Sequence, residues 1–283
     1  MKIDFVIAWV DNTDLVWRKT FIDYCSKNRL QEKIVEMLGN RYGGINFLNY
    51  QINLVNKNMP WINKIYLLLS NIEQKPKNLP SNVEIVLHRD FIPYNFLPTF
   101  NSTTIEMFLW NIKKLEEHFI YANDDMLPIK PMKPSDFFEN DKIKIRWQHQ
   151  EFKINSTVFA YQCKNNCVEL SKKLKVKYDP KKIIKPLHSF TPIIKSHAKE
   201  SYNLIKDKIV PHIRAFRTIY QFNQYIYPLY EMWKYGTLDS DLDFLYTELD
   251  EDFDLNHDIV CINAEKNNKY VKKFLVEIKE LCK

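Results

Sequence analysis

The sequence predicts an α/β protein with a doubly wound, mostly parallel sheet. Two observations carry this prediction. Predominantly apolar runs at residues 3–10, broken only by Asp4, and at 65–69 and 83–87 are typical of strands that are buried on both faces. Segments whose apolar residues recur at helical spacing separate the first two runs, and this alternation of strand, helix and strand favours a parallel sheet.

The other elements follow from apolar periodicity and from capping and breaking residues. Residues 15–38 have helical spacing, and a second helical stretch begins at residue 41 and ends before Pro60. Residues 104–118 are also predicted to be helical, with Asn101 and the serine after it in position to cap the helix. The remaining predicted elements are strands at 119–122 and 143–147 and helices at 168–176, 197–206, 219–235 and 270–281.

Composition limits the domain organisation and the class of protein. The chain has 283 residues, of which 45% are hydrophobic and 14% aromatic, so it can bury a large core. No stretch rich in proline, glycine or serine divides it, so residues 1–283 are predicted to form one domain with an α/β half (1–150) and a mainly helical lobe (151–283). With only four glycines, the sequence contains neither a Rossmann fingerprint nor a P-loop.

Charge and cysteine content indicate the surroundings of the protein. The formal net charge of +6 comes largely from scattered lysines without a long basic tract, which argues against nucleic-acid binding. It would suit an anionic substrate or a peripheral approach to an anionic membrane. Five widely spaced cysteines, with no signal peptide and no apolar span of about 18 residues, favour a reduced, cytoplasmic protein.

Acidic residues follow two of the predicted strands. The apolar run 119–122 stops on Asn123, Asp124 and Asp125, and Asp11 follows the first run. Because parallel sheets bind ligands at the carboxyl ends of their strands, these carboxylates indicate an active site. Glu106 lies near the start of the helix predicted at residues 104–118, at the edge of its buried face.

Two residues of the second half are candidates for the same site. His188 lies in a loop bracketed by prolines, and Arg217 begins an aromatic-rich segment. Taken singly, such a histidine is more often structural and such an arginine more often a surface charge. Whether they are candidates for catalysis therefore depends on the other motifs of the chain.

Four blocks of residues follow one another along the chain. The first block is Ile-Asp-Phe-Val-Ile-Ala-Trp-Val-Asp at 3–11. The second runs from Arg41 through Pro-Trp-Ile-Asn-Lys-Ile (60–65) and Leu-Pro-Thr-Phe-Asn-Ser (97–102) to Asn-Asp-Asp (123–125). The third spans 186–217 and keeps a proline, a histidine and a distant arginine, and the fourth is Cys-Ile-Asn at 261–263. Together these blocks resemble the Stealth family, which includes bacterial capsular polysaccharide phosphotransferases and the animal lysosomal-enzyme N-acetylglucosamine phosphotransferase.

The resemblance implies transfer of a hexose 1-phosphate from a nucleotide sugar, commonly a UDP-sugar, to a hydroxyl of an acceptor glycan. The products would be a phosphodiester in capsular or cell-surface polysaccharide and a nucleoside monophosphate. The acceptor would be an oligosaccharide or a lipid-linked glycan, used in the cytoplasm at the inner face of the membrane. In this scheme residues 1–150 bind the nucleotide sugar, and residues 151–283 complete the active site of a single catalytic domain.

The resemblance also assigns roles to residues. The catalytic set is Asp125, His188, Glu106 and Arg217. Carboxylate oxygens suit Mg²⁺ or Mn²⁺, and the metal ligands would be Asp125, helped by Asp124 or Asp11. The donor-binding set is Trp9, Asp11, Asn12, Arg41, Asn101, Asn123 and Asn263.

Several alternatives stay open at this point. His197 or His212 could replace His188 as the base that accepts the hydroxyl proton. A metal-dependent glycosyltransferase would use the same acids but attack the anomeric carbon and release UDP. A non-catalytic glycan-binding protein would show no metal dependence.

Overall fold

The structure is a computed structural model that describes residues 1–38, 45–249, 253–264 and 268–282, apart from the side chains of residues 37 and 38. Arg41 lies outside these residues, so its predicted contact with the donor stays a prediction. The strands are β1 (Ile3–Ala8), β2 (Ile65–Leu69), β3 (Val83–Leu87), β4 (His118–Asn123), β5 (Met126–Pro128), β6 (Phe138–Glu139), β7 (Lys142–Ile143), β8 (Trp147–Glu151), β9 (Lys182–Pro186), β10 (Thr191–Ile194), β11 (Phe244–Thr247) and β12 (Ile259–Ile262). The helices are α1 (Leu15–Lys27), α2 (Gln31–Leu38), α3 (Leu48–Asn58), α4 (His88–Phe91), α5 (Ser102–Glu106), α6 (Val158–Leu174), α7 (Lys195–Ile209), α8 (Ile226–Lys234) and α9 (Val271–Leu281).

A mostly parallel sheet forms the centre of the fold, with strand order β10-β4-β1-β2-β3. Strands β1 to β4 are parallel, and β10 is antiparallel to β4 at the edge. The register pairs Ala8 with both Leu68 and Asn123, so the carboxyl ends of the parallel strands lie along one edge. Because the chain order reverses between β1 and β4, a crevice is expected at that point.

Both faces of this sheet are covered, which explains why its strands are continuous apolar runs. On one face, α3 packs Ile52 and Val55 against a core that contains Phe5 and Leu67. On the other face, the segment after α4 and helices α6, α7 and α8 bury the alternate strand residues, such as Tyr66. The predicted α/β class with a doubly wound, mostly parallel sheet is therefore confirmed.

The second half is less helical than predicted. Helices α6, α7 and α8 pack on one another, but β8 and β9 form an antiparallel pair, and β12 lies between β11 and β5 in a small sheet. The strand predicted at residues 143–147 was wrong in its bounds, because β7 ends at Ile143 and β8 begins only at Trp147. β10 belongs to the central sheet, so the two halves share one core.

Two predicted helices are shorter than their apolar patterns. Residues 15–38 divide into α1 and α2, and Arg29 between them has a left-handed backbone with φ of 58°. The helix predicted at 104–118 ends at Glu106 and is followed by a 3₁₀ turn at Leu109–Asn111. Its apolar residues are nevertheless buried in one core, because successive tight turns bury the same side chains that a helix would.

The structure bears on two features considered in the sequence analysis, membrane-spanning segments and cysteines. Among the described residues, no helix is both long enough and apolar enough to cross a bilayer. The cysteines are free thiols, and Cys25, Cys163, Cys167 and Cys261 are buried.

Candidate active site

A cavity of about 340 Å³ opens across the carboxyl ends of the four parallel strands. Trp9 follows β1, Ser70 follows β2, His88 follows β3 and Asn123 ends β4, and all four line the cavity. This is the edge at which parallel sheets bind ligands. The remaining lining residues are Ala8, Val10, Trp17, Thr99, Phe100, Asn101, Ser102, Ile105, Asp124, Asp125 and Arg217.

The acidic turn between β4 and β5 is fixed from two sides. From α3, Gln51 donates its amide to the carbonyl oxygens of Asn123 and Met126, at 2.7 Å each. From β12, the backbone N–H of Ile262 donates to the carbonyl oxygen of Asp125 at 2.9 Å. These bonds hold Asp124 and Asp125 on the cavity wall, so their carboxylates are positioned by the backbone.

We expect Gln51→Leu to lower the affinity for a divalent cation as well as the stability of the protein. The substitution leaves two buried carbonyl oxygens unpaired, which costs about 1–3 kcal/mol. Asn58→Leu is the matched control, because Asn58 ends the same helix and donates to the carbonyl oxygens of Pro128 and Ile129, beyond the acidic turn. Denaturant unfolding should show similar losses for both variants, whereas Mn²⁺ calorimetry should show weaker binding for Gln51→Leu alone; equal affinities would contradict the role of Gln51.

Burial makes the two carboxylates of the turn hard to ionise. Burial raises the pKa of Asp124 to about 7, with a further contribution from the charge of Asp125. Burial likewise raises the pKa of Asp125 to about 6, although a hydrogen bond from Cys261 opposes the shift. Such shifts are typical of carboxylates that work in a functional site.

Asp125 is suited to hold a cation. Its Oδ1 is buried and has no hydrogen-bond partner among the described residues. Asp125, His188 and Cys261 each offer a ligand atom within 4.8 Å of the others, and Asp124 shares the turn. A hard divalent cation would take the carboxylate oxygens and relieve the cost of burying their charge.

His188 lies in the connection from β9 to β10, beside Asp125. Its Nδ1 is 2.9 Å from the hydroxyl of Tyr225, and that hydroxyl can donate to the carbonyl oxygen of Leu187 at 3.5 Å. In this arrangement Nδ1 carries the proton and Nε2 keeps a free lone pair. Burial lowers the pKa of His188 to about 4, with smaller effects from Lys185 and Arg217, so the imidazole is neutral near pH 7.

Glu106 and Arg217 stand together between the two halves. Arg217 donates to the hydroxyl of Ser102, and Glu106 accepts a hydrogen bond from the backbone N–H of Gln224 at 3.2 Å. Burial raises the pKa of Glu106, and the positive charge of Arg217 opposes that shift. The two side chains are therefore close enough to influence each other electrostatically.

The segment that carries Arg217 is anchored to the loop before α5. Phe216 stacks on Phe100 with ring centroids 5.5 Å apart. The Asn101 amide donates to the carbonyl oxygen of Arg214 at 3.2 Å and to Gln221 at 3.1 Å, while its Oδ1 caps α5. Asn101 lines the cavity as expected. Its hydrogen bonds are made within the protein, so they indicate that it positions this segment more than that it binds the nucleotide sugar.

A second cavity of about 490 Å³ adjoins the first. Ser102, Asn123 and Arg217 line both, so these residues mark the junction. The second cavity is otherwise lined by Thr103, Glu106, Gln148, Phe159, Gln162, Lys185, Leu187, His188, Asn223, Gln224, Phe244 and Tyr246. Lys185 is the ammonium group of this wall, and it donates to Gln148 at 2.8 Å.

The structure brings most of the predicted residues together. Trp9, Asn101, Asn123, Asp124, Asp125 and Arg217 line the first cavity, and Glu106 and His188 line the second. His197 instead pairs with Glu231 at 2.7 Å, and His212 stacks on Tyr220, so neither lines these cavities.

Three predicted residues lie apart from the described lining of both cavities. Oδ1 of Asp11 accepts from the backbone N–H and the hydroxyl of Thr13, at 2.8 and 2.6 Å, so of the two expected helpers of Asp125 only Asp124 lines the first cavity. Asn12, the next residue, is likewise not part of either wall. Asn263 donates to the hydroxyl of Tyr246 at 2.6 Å and so reaches the second cavity only through that ring.

Sequence reasoning missed several residues of the site. Gln51 is fully buried within the apolar stripe of α3, and a polar residue in such a stripe is a signal that could have been read. Cys261, Lys185 and Tyr225 carry no comparable signal, because strands and loops distant in sequence bring them to the site.

Comparison with known proteins shows the family. Residues 41–146 match the family model for conserved region 2 of Stealth proteins. The chain is 32% identical over 223 residues to a capsular polysaccharide phosphotransferase of Neisseria meningitidis serogroup B, covering 73% of this chain and 57% of the relative. It is 33% identical over 233 residues to the capsular polysaccharide phosphotransferase LcbA of Neisseria meningitidis, covering 77% and 60%. It is 41% identical over 144 residues to the receptor polysaccharide phosphotransferase WefC of Streptococcus gordonii, covering 50% and 42%.

The share of each known protein that the chain covers differs between the sequence matches and the structural match. The chain spans 57% and 60% of the length of the two Neisseria relatives. A crystal structure of the galactosyltransferase LgtC with donor and acceptor sugar analogs is similar at a TM-score of 0.40 and 10% identity, covering 99% of this chain and 95% of that one. The family-model match at residues 41–146 contains the second of the four blocks described above. The chain belongs to the Stealth family.

Proposed function

We propose that the protein transfers a hexose 1-phosphate from a nucleotide sugar, such as a UDP-sugar, to a hydroxyl of an acceptor glycan. The observation that carries this proposal is the junction of the two cavities, where Arg217 and Asn123 stand with Asp125, His188 and Glu106 around them. A donor in one cavity and an acceptor in the other would meet there. The names of the relatives, which are polysaccharide phosphotransferases, support the same reaction class.

The first cavity would hold the donor, with its diphosphate near the acidic turn. Asp125 and Asp124 would hold Mg²⁺ or Mn²⁺, whereas Asp11 lines neither cavity and its Oδ1 accepts from Thr13. When bound, the cation neutralises charge on the diphosphate and on the departing nucleoside monophosphate. Arg217 would bind the oxygens of the transferred phosphoryl group in bidentate fashion.

The second cavity would hold the acceptor. The amides of Gln148, Gln162 and Gln224 can bind sugar hydroxyls, and the rings of Phe159 and Tyr246 can cover a sugar face. The acceptor would be an oligosaccharide or a lipid-linked glycan. A lipid-linked acceptor would require peripheral contact with the membrane at its cytoplasmic face, and the free cysteines suit that compartment.

In the proposed reaction the acceptor hydroxyl attacks the phosphorus next to the sugar. A new bond forms from that oxygen to phosphorus, and the bond to the bridging oxygen breaks, so the nucleoside monophosphate leaves on the opposite side. His188 accepts the hydroxyl proton at Nε2, and Tyr225 holds the ring through Nδ1. Glu106 orients Arg217, and residues 1–150 and 151–283 act as one catalytic domain.

The test is the fate of the phosphorus next to the sugar. With UDP-sugars labelled at the β-phosphorus, Mg²⁺ and an acceptor glycan, we expect UMP release and label in the glycan. A glycosyltransferase would release labelled UDP, and a glycan-binding protein would give no turnover and no dependence on a divalent cation. A parallel series with GDP-sugars identifies the nucleotide, and release of labelled diphosphate from either donor would contradict the proposal.

A further inference from the structure

Two buried polar atoms belong to residues that line the first cavity. They are Nε2 of His88, whose residue is 6% exposed, and Oγ1 of Thr99, whose residue is 3% exposed. Neither atom has a hydrogen-bond partner among the described residues. Leaving such groups unpaired costs free energy, so two of them in one ligand cavity indicate that a bound molecule supplies their partners.

The position of His88 limits which part of a ligand it can reach. His88 follows β3 directly, whereas the acidic turn follows β4, and β2 and β1 lie between them in the sheet. Neighbouring strands are 4.7–4.9 Å apart, so three steps separate the two strand ends by roughly 14 Å. A nucleotide whose phosphates lie at Asp125 and Arg217 would extend along this edge and bring its base to His88.

The chemistry of His88 and of the other groups in this cavity suits a neutral heterocycle. Burial lowers the pKa of His88 to about 4, so its ring is uncharged near pH 7 and can donate or accept one hydrogen bond at Nε2. Thr99 adds a hydroxyl that can do either, and the indole rings of Trp9 and Trp17 line the same cavity. A phosphate or carboxylate would find no cation in these groups, whereas the edge of a nucleobase offers both donors and acceptors.

We propose that His88 and Thr99 bind the base of the nucleotide-sugar donor and set its selectivity. This inference rests on the proposed nucleotide-sugar donor. It assigns the end of the cavity at β3 to the base and the end at β4 to the diphosphate.

The first test is Thr99→Val, which removes the hydroxyl at nearly constant volume. The nucleoside monophosphate that binds wild type most tightly, from a panel of UMP, CMP and GMP with Mg²⁺, is titrated by calorimetry against both proteins. We expect affinity to fall about 3–10-fold, the effect of one neutral hydrogen bond. The melting temperature without nucleotide should stay equal or rise, because the lost hydroxyl had no protein partner.

A matched control separates this effect from a general loss of packing. Ser201 is fully buried on α7, and its hydroxyl donates to the carbonyl oxygen of Ala198 at 2.8 Å. Ser201→Ala should lower the melting temperature and leave nucleotide affinity unchanged. His88→Phe keeps a ring without nitrogens, and we expect about a 10-fold loss of nucleotide affinity in that variant.

Ribose 5-phosphate identifies the part of the nucleotide that is bound. Its affinity should be the same for wild type, Thr99→Val and His88→Phe, because it has no base. If both variants bind the nucleotide as wild type does, the two groups hold only ordered water and the inference is overturned, while the proposed reaction stands. If the variants weaken binding but labelled UDP is released in the transfer assay, the inference stands and the proposed reaction is wrong.

Discussion

Asp125→Asn is expected to abolish turnover while raising the stability of the protein at pH 8. The substitution keeps the volume of the side chain but removes one negative charge from the proposed cation site. Oδ1 of Asp125 has no partner among the described residues, and the hydrogen bond from Cys261 offsets only part of the cost of burying that charge. Catalysis should therefore be lost although folding improves.

The stability effect has a defined sign. The usual pKa of an aspartate is 3.8, and burial raises that of Asp125 to about 6 in the folded protein. The folded state therefore binds this proton more tightly than the unfolded state, and the stabilisation is lost as pH rises from about 4 through 6. Asparagine does not ionise, so without a divalent cation the variant should exceed wild type by roughly 1–3 kcal/mol at pH 8 and match it most closely near pH 4.

Cation binding supplies the second measurement. Mn²⁺ calorimetry should show binding to wild type that strengthens between pH 5 and 8 (roughly the range of the raised carboxylate pKa values), because the ligands must lose their protons. Wild-type activity should disappear with EDTA and return with Mg²⁺ or Mn²⁺. Asp11→Asn is the control: its carboxylate is engaged by Thr13, so we expect cation affinity close to wild type. Substantial turnover by Asp125→Asn would remove this residue from the site.

The central sheet could be predicted because three of its parallel strands are buried on both faces. The apolar runs at β1, β2 and β4 lack the alternation of a half-exposed strand, as expected in a covered parallel sheet, whereas β3 at the edge is only partly buried. β10 escaped prediction because it has only four residues and includes Pro192. Proline lacks the N–H group of a sheet ladder, so it is tolerated there because β10 is an edge strand.

The helix predicted at residues 104–118 shows a limit of periodicity. Ile105, Phe108 and Leu109 recur at helical spacing and are buried as expected, but α5 ends at Glu106. The pattern records which side chains face the core, and turns of different geometry can meet that requirement. The location of the core was therefore predictable, whereas the backbone conformation was not.

The candidate site was predictable where it depends on strand ends. Asp124 and Asp125 line the cavity because β4 ends there, whereas Asp11 lies outside its lining and its Oδ1 accepts hydrogen bonds from Thr13. The positions of His188 and Arg217 depend on how the second half packs, and periodicity does not predict that packing. The resemblance to the Stealth family nevertheless identified both residues as candidates. Gln51 acts through two carbonyl oxygens more than 70 residues away, so the sequence could show an unusual polar residue in the apolar stripe of α3 but not its partners.

His188→Ala is expected to lower kcat by about 10²–10⁴-fold, with a smaller effect on the affinity for the donor. His188 lies beside Asp125 and lines the second cavity, so it is placed to accept a proton from an acceptor hydroxyl. His197→Ala is the matched control. That substitution breaks the contact with buried Glu231 and should cost stability, yet kcat should stay close to wild type because His197 lines neither cavity.

The pH profile distinguishes a base from a residue that only supports the cavity. Burial, together with Lys185 and Arg217, lowers the pKa of His188 to about 4, so its base form is already present throughout the neutral range. With saturating Mg²⁺, kcat of wild type should therefore change little between pH 7 and 9 (about three or more pH units above that pKa). In His188→Ala the residual kcat should rise across the same range, because hydroxide or the acceptor alkoxide takes over the missing step. If the kcat of His188→Ala is low and as independent of pH as that of wild type, the substitution has changed the shape of the site. The proton transfer would then belong to another group.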